Sequence, residues 1–178
     1  RSKTWEQQGA TILGEENGDQ SGFSIALNND GTTIAIGAKL NDTEASDNTQ
    51  YPDIGNVRVY DWREYTTDDD GEFHYTSTVQ DGTQEKPLIA TNGLAPVVGE
   101  YYWTQRGFDI NGPQEESYSG FVSLDSTGNK LIVGAPGYQD NSSTVGMVRI
   151  WEWRELTTED VGTTTPIFVT SNTPVNPT

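Results

Sequence analysis

The chain has 178 residues, and its 27 Asp and Glu outnumber its 10 Lys and Arg, which gives a net charge of −17. The few basic residues are scattered and no long apolar run occurs, so we expect no nucleic-acid partner and no membrane insertion. With no cysteine and one histidine, His74, the sequence excludes disulfides and thiolate metal sites and leaves His-dependent catalysis a single candidate base.

The composition favours β-strands. Glycine is frequent, at 19 residues, and the chain carries 5 Trp, 8 Tyr and 5 Phe, unlike disordered acidic sequences, which are poor in aromatic residues. No window of helical length has the apolar spacing of a helix. We therefore predict an all-β protein. Because the first residue is Arg1 rather than Met, we expect the chain to be a processed product or an excised piece.

The first 65 residues contain three predicted strands and a fourth, shorter one. Apolar and β-branched residues at 23–27 and 32–38 flank a turn at 28–31 and predict a hairpin. The third strand covers 57–62, and the shorter strand is expected around 10–13.

Residues 66–102 are interpreted as an insertion or connector, with weaker strand signals at 73–79 and 88–90. Its acidic run at 68–70, with Glu72 and His74, is the densest polar cluster of the sequence. The spacing of this cluster matches no established metal-binding loop. We interpret it as a solvated turn, with a weak cation site as the alternative.

Residues 103–162 repeat the first 65. The segment that starts at Trp5 matches the segment that starts at Trp103 at an offset of 98. The offset is 97 for the Gly-Ala pairs that begin at Gly37 and Gly134, where we expect tight packing, and 91 for the third strand. We expect the length changes to lie in loops. Matching strands are predicted at 121–124, 130–135 and 148–153, with a shorter one at 108–110.

These blocks resemble a known repeat family. Each block has a tryptophan-led stretch, a Ser-Gly-Phe start at 21–23 or 119–121, a Gly-Ala strand end and a Val-Arg strand that ends in Trp. This pattern is similar to integrin-α-type, FG-GAP-like β-propeller repeats, in particular those of secreted proteins of aquatic microbes. The resemblance covers roughly residues 5–65 and 103–160. It implies four-stranded antiparallel blades in an extracellular adhesive or structural protein.

Two features depart from that family. Integrin-type blades often carry a calcium loop of alternating carboxylates, whereas the turns at 28–31 and 125–128 have too few for a hard cation. We therefore expect no metal and no cofactor. Closed propellers need roughly four to eight blades, whereas this chain has two tandem four-stranded antiparallel blade-like repeats. We expect an incomplete propeller, a sandwich-like pair or a structure completed by neighbouring chains, organised as residues 1–65, 66–102, 103–162 and 163–178.

Two kinds of binding residues are predicted on the repeats. Asn41 and Asn141 each begin an N-glycosylation triplet in the loop after the Gly-Ala pair. Along the third strand, period two places Arg58, Tyr60 and Trp62 on the face opposite the neighbouring valines. The second repeat has the same ladder, at Arg149, Trp151 and Trp153. The ladder could stack sugars or pack against a neighbouring sheet, and we favour packing.

The sequence offers little for catalysis. The carboxylate pairs at 15–16 and 115–116 occupy matching loops and are expected to be exposed, which does not suit general acid and base catalysis. Ser21 and Ser119 do not lie in a nucleophile elbow. We predict that the protein is not an enzyme.

The last 16 residues, 163–178, carry no charge. Their β-capable stretch is a candidate for strand addition to a neighbouring subunit, with a flexible linker as the alternative: Pro166, Ile167, Phe168, Val169 and Thr170. We predict an extracellular or cell-surface structural or adhesive subunit that forms a homo-oligomer or filament and that could carry glycans. The alternative is a carbohydrate- or ligand-binding module that uses loop aromatics, if these line an open groove: Tyr101, Tyr102, Tyr118 and Tyr138.

Overall fold

The computed structural model describes residues 2–44, 50–66 and 89–154. Within those ranges the chain forms β-strands and no helix, and hence no helix that could span a membrane. The prediction of an all-β protein is confirmed. The strands are β1 (Ser21–Leu27), β2 (Thr33–Ala38), β3 (Thr43–Glu44), β4 (Gln50–Tyr51), β5 (Asn56–Glu64), β6 (Tyr101–Gln105), β7 (Ile110–Asn111), β8 (Phe121–Leu124), β9 (Lys130–Ala135), β10 (Gln139–Asp140), β11 (Ser143–Thr144) and β12 (Met147–Glu152).

The first sheet has the order β1-β2-β5-β6, and every neighbouring pair is antiparallel. Strands β1 and β2 form the predicted hairpin. Asn28 closes its turn, because the Asn28 Oδ1 accepts hydrogen bonds from the backbone N–H groups of Thr32 and Thr33 at 2.9 and 3.0 Å. Gly31 supplies the positive φ of 71° that this turn requires.

The fourth strand of the first sheet comes from the second repeat. The expected strand at 10–13 is not formed, and β6 instead pairs along β5, with Trp103 directly opposite Trp62. Strand β7, which overlaps the strand predicted at 108–110 only at Ile110, also pairs with β5. The weak signal at 88–90 appears as a single bridge between Ile89 and Thr104. The start of the second repeat thus completes the sheet of the first.

The second sheet has the order β12-β9-β8, again antiparallel. Among the described residues it has three strands rather than the expected four, and the outer edge of β12 is unpaired. The two repeats therefore differ in this respect: a following segment completes the first sheet, and no described segment completes the second.

One length difference between the repeats lies in a strand and not in a loop. The first repeat has one residue more between its Ser-Gly-Phe and the glycine of its turn. The hairpin turns are equally long, since Leu27 pairs with Ile34 and the equivalent pair is Leu124 and Leu131. The extra residue lies in β1, whose pairing with β2 shifts register after Ser21. A β-bulge absorbs it because a bulge lets two residues oppose one.

The sheets pack in the same orientation, one behind the other. We call the face of the first sheet that carries Ala35 its front face, and the equivalent face of the second sheet carries Ile132. The opposite face of each sheet is its back face. The front face of the first sheet packs on the back face of the second in one apolar core: Ala35, Val57, Val59, Leu131 and Val133. The back face of the first sheet forms a second core, against which Ile12 packs: Ile36, Tyr60 and Trp103.

Candidate functional site

The aromatic ladder lies on the back faces of both sheets, as period two requires. Arg58 and Tyr60 are buried, and the Arg58 guanidinium lies 5.9 Å from the centre of the Tyr60 ring. In the second sheet the Arg149 guanidinium lies 5.3 Å from the Trp151 ring, which packs against the first sheet. Arg58 and Tyr60 are too buried to stack sugars, and Trp151 is partly buried against the first sheet, which supports the interpretation as packing.

The last ladder position differs between the sheets. Trp62 contacts Trp103 of β6, with ring centres 5.4 Å apart, and the Trp103 Nε1 donates a hydrogen bond to the Gln8 carbonyl at 3.0 Å. Gly9 packs so closely on the Trp62 ring that a Cβ there would overlap it. Trp153, the equivalent of Trp62, has no second tryptophan beside it and is 54% exposed.

The front face and the free edge of the second sheet form an exposed surface, which we call the open end. Ile132, Val148 and Ile150 lie on this face at 44%, 66% and 72% exposure. Their counterparts in the first sheet are the buried Ala35, Val57 and Val59. The open end also includes the edge of β12. The sequence alone did not identify this surface, because the same apolar pattern is buried in one repeat and exposed in the other.

The glycines of the two Gly-Ala pairs have different surroundings. Gly37 lies against the backbone of Gly120, and a Cβ at Gly37 would overlap that carbonyl oxygen. A Cβ at Gly134 would make ordinary contacts with the Phe121 Cβ at 3.4 Å and the Phe121 carbonyl oxygen at 3.9 Å. The expected tight packing is therefore present at Gly37 and absent at Gly134, because the first sheet has a sheet in front of it and the second has none in the described chain.

A cluster of polar side chains lies where the N-terminal segment meets the first sheet. The Asn56 amide nitrogen donates to Glu15 at 3.0 Å and to Asp109 at 3.4 Å. Gln105 donates to Asp109 at 2.7 Å, and the Arg58 guanidinium donates to the Leu13 carbonyl at 2.9 Å. Glu15 is thus half-buried and not an exposed loop residue as expected, whereas Glu16, Glu115 and Glu116 are exposed.

Burial changes the acidity of this cluster. Burial, followed by the nearby charge of Asp109, raises the pKa of Glu15 to about 7, against the opposing effects of Arg58 and Asn56. Burial also raises the pKa of Asp109, while Arg58 and Gln105 act to lower it. The two carboxyls titrate together, so near neutral pH the pair retains a proton that isolated carboxylates would have lost.

The geometry of this cluster suits a structural role. Its carboxyls accept hydrogen bonds from Asn41, Asn56 and Gln105, and these contacts join the N-terminal segment, β5 and the start of the second repeat. In the described ranges no group of three or more His, Asp or Glu is placed to hold a metal ion. Sequence reasoning missed the pair because Glu15 and Asp109 are far apart in the chain.

The two glycosylation triplets have different environments. Asn41 is 3% exposed, and its amide nitrogen donates to Asp19 at 3.0 Å, so a glycan does not fit on the folded chain at this position. Asn141 is exposed in the turn between β10 and β11, with a φ of 48°. Of the two candidates, only Asn141 is accessible.

The loop aromatics do not form one groove. Tyr101 and Tyr102 lie on β6, where Tyr101 pairs with Glu64 at one end of β5. Tyr118 donates its backbone N–H to Asp53, which precedes the opposite end of β5. Tyr101 is exposed, whereas the other three tyrosines, Tyr138 included, are half-buried.

Two predicted regions lie outside the described residues. They are the acidic cluster of the insertion (Asp68, Asp69, Asp70, Glu72 and His74) and the candidate assembly stretch (Pro166, Ile167, Phe168, Val169 and Thr170). Both interpretations stay predictions.

No protein-family model matches the chain, and no curated protein and no solved structure matches it. The resemblance to FG-GAP-like repeats therefore stays a prediction from the sequence.

Proposed function

We propose that this protein is a non-enzymatic, extracellular structural or adhesive subunit that assembles with other subunits into a fibre or surface array through the open end of its second sheet. The observation that carries the proposal is the outer edge of β12, which no described strand pairs, beside an exposed apolar face. The half-buried carboxyl pair of Glu15 and Asp109 supports the non-enzymatic part of the proposal, because its hydrogen bonds join chain segments and suit it to stabilising the fold.

An open edge favours assembly for a physical reason. A strand at a sheet edge presents unpaired N–H and C=O groups that act as a template for another strand. Natural monomers usually protect such edges with proline, bulges or inward-pointing charges. Strand β12 contains neither a proline nor a bulge. Its Glu152 is paired with Lys130 at 2.6 Å, which reduces the repulsion that this carboxylate would exert.

Charge works against assembly. Each subunit carries a net charge of −17, so subunits repel one another at low ionic strength. Salt screens this repulsion over a Debye length of about 8 Å at 0.15 M ionic strength. Assembly driven by an apolar face and backbone hydrogen bonds should therefore strengthen with salt.

The extracellular location is supported by the accessible triplet at Asn141. The alternative function, a carbohydrate- or ligand-binding module, has weaker support. The tyrosines at Tyr101 and Tyr118 lie at opposite ends of β5, and the ladder residues Arg58 and Tyr60 are buried.

Sedimentation velocity on the full chain at 0.15 M NaCl, over a wide range of protein concentrations, tests the proposal. We expect species larger than the 19.5 kDa monomer, increasing with concentration and with salt. Ile150→Glu, on the open end, should suppress them. The control Val98→Glu places the same charge at an exposed valine in the turn before β6, outside the open end, and should not. A chain that stays monomeric under all these conditions would contradict the proposed function.

A further inference from the structure

The equivalence of the two repeats indicates which molecule binds the open end. We propose that the open end binds a second copy of this chain, through the partner's residues 3–8 and the back face of the partner's first sheet. This inference rests on the proposed assembly function and specifies its geometry. Between copies, it repeats the contact that the two sheets make within one chain.

The strand that completes the edge is identified by sequence equivalence. Within the chain, β6 pairs with β5 and places Trp103 opposite Trp62. The equivalent of Trp62 is Trp153, beside the free edge of β12, and the equivalent of Trp103 is Trp5. The Trp5 side chain is fully exposed and packs on none of the described residues of its own chain. The partner's Trp5 therefore belongs opposite Trp153.

A site for this indole is already present. Around Trp62, the Gly9 backbone packs on the ring and the Gln8 carbonyl accepts the hydrogen bond of the Trp103 Nε1. Around Trp153, Gly107 takes the place of Gly9, and a Cβ there would lie 3.1 Å from the ring. Arg106 takes the place of Gln8, with its guanidinium 5.5 Å from the Trp153 ring. The Arg106 carbonyl is thus the equivalent acceptor for the partner's Trp5.

Gly134 provides an independent indication. Gly37 is required where it stands, because the Gly120 backbone contacts it. Gly134 has no positive φ, and a Cβ there would make only ordinary contacts with the described chain, to the Phe121 Cβ at 3.4 Å and the Phe121 carbonyl oxygen at 3.9 Å. Nothing described there therefore requires a glycine inside β9. A glycine in a strand interior is unfavourable unless another backbone approaches closely. The segment equivalent to Gly120 is Gly22, so the partner's Gly22 would supply that backbone.

The two exposed faces complement each other. On the back face of the second sheet, Val122 and Leu124 pack against the core between the sheets. Their counterparts by strand pairing are Ile25 and Leu27, which are 65% and 57% exposed on the back face of the first sheet. In the proposed contact the partner's Ile25 and Leu27 would cover the front face that carries Ile150.

The contact joins two different surfaces, so every copy has one donor end and one acceptor end. Such a heterologous interface generates a ring when the rotation between copies closes and a helical filament when it does not.

Sedimentation velocity on full-chain variants tests the geometry. Trp5→Ala removes an exposed side chain, and Gly134→Ala adds a Cβ that has room in the monomer, so the melting temperature of both variants should match that of the wild type. Both should weaken self-association by roughly tenfold or more, as expected for a central aromatic residue and a close backbone contact. Val98→Glu is the control and should assemble like the wild type.

Cysteine cross-linking tests the register, since the chain has no native cysteine. The pairing of Tyr102 with Arg63 in the first sheet translates to Thr4 opposite Arg154 between copies. An equimolar mixture of Thr4→Cys and Arg154→Cys chains should form the mixed disulfide dimer under mild oxidation. A mixture of Asn92→Cys and Arg154→Cys chains, with Asn92 on an exposed loop, should not.

The outcomes separate the two proposals. Wild-type chains that remain monomeric contradict both the assembly function and this inference. Wild-type assembly that Trp5→Ala and Gly134→Ala leave intact, without the mixed disulfide, overturns this inference alone. Assembly lost on deletion of residues 163–178 but kept in Trp5→Ala would assign the edge to the tail and also overturn it.

Discussion

The half-buried carboxyl pair of Glu15 and Asp109 makes the stability of the fold depend on pH. Raising the pKa of Glu15 from its ordinary 4.5 to about 7 means that the folded chain binds this proton more tightly than the unfolded chain. The resulting stabilisation is complete below about pH 4.5 and is lost as the pH rises through about 7. Wild-type stability should therefore fall between pH 5 and pH 8.

The size of the effect follows from the same values. A pKa change from 4.5 to about 7 corresponds to an upper limit of about 3 kcal/mol. Glu15 is only half-buried and partly screened by water, so we expect about 1 to 2 kcal/mol. Glu15→Gln keeps an oxygen that can accept from Asn56 but carries no charge. The variant should be up to that amount more stable than the wild type at pH 8, and the advantage should vanish near pH 5.

Urea denaturation followed by tryptophan fluorescence at pH 5, 6, 7 and 8 measures this difference. The comparison cancels the contributions of ionisable groups that both proteins share and that do not interact with Glu15. Glu16→Gln is the matched control, since it removes one negative charge from the exposed neighbouring residue. A difference between Glu15→Gln and the wild type that does not change with pH, or an equal change in Glu16→Gln, would refute the coupling between burial and titration.

Three further expectations concern packing, modification and metals. Gly37→Ala, or Leu in place of the buried Ala38 or Ala135, should lower the unfolding free energy by about 1 to 3 kcal/mol, whereas an unchanged melting temperature would contradict the packing of the two sheets. Expression through a eukaryotic secretory pathway should add a glycan at Asn141 and none at Asn41, and intact-mass analysis of Asn141→Gln and Asn41→Gln would show which triplet is used. A chelator should leave the midpoint of thermal unfolding unchanged, because the hairpin turns lack the alternating carboxylates of a calcium loop. A fall of many degrees in this midpoint would instead show that the acidic loops bind a metal ion.

Local sequence determined the strands and their faces. Alternation along 57–62 correctly separates Val57 and Val59 from Arg58 and Tyr60, because side chains of a strand point to opposite faces whatever the strand packs against. The turn residues from Asn28 to Gly31 define the hairpin, since their hydrogen bonds and positive φ are local. The internal repeat likewise follows from residue identity alone.

Only the tertiary structure decided which segments complete which sheet. The segment that starts at Trp5 and the segment that starts at Trp103 share half of their first ten residues. Only the second pairs along a strand, because only it follows a sheet whose edge it can reach. Likewise, Gly37 and Gly134 are equivalent in sequence and differ in what lies in front of them. The pKa of Glu15 is raised first by burial and then by the charge of Asp109, a neighbour that folding brings from the other repeat. Pairing partners and burial are properties of distant contacts, and a periodic pattern that repeats along the chain cannot distinguish a covered copy from an uncovered one.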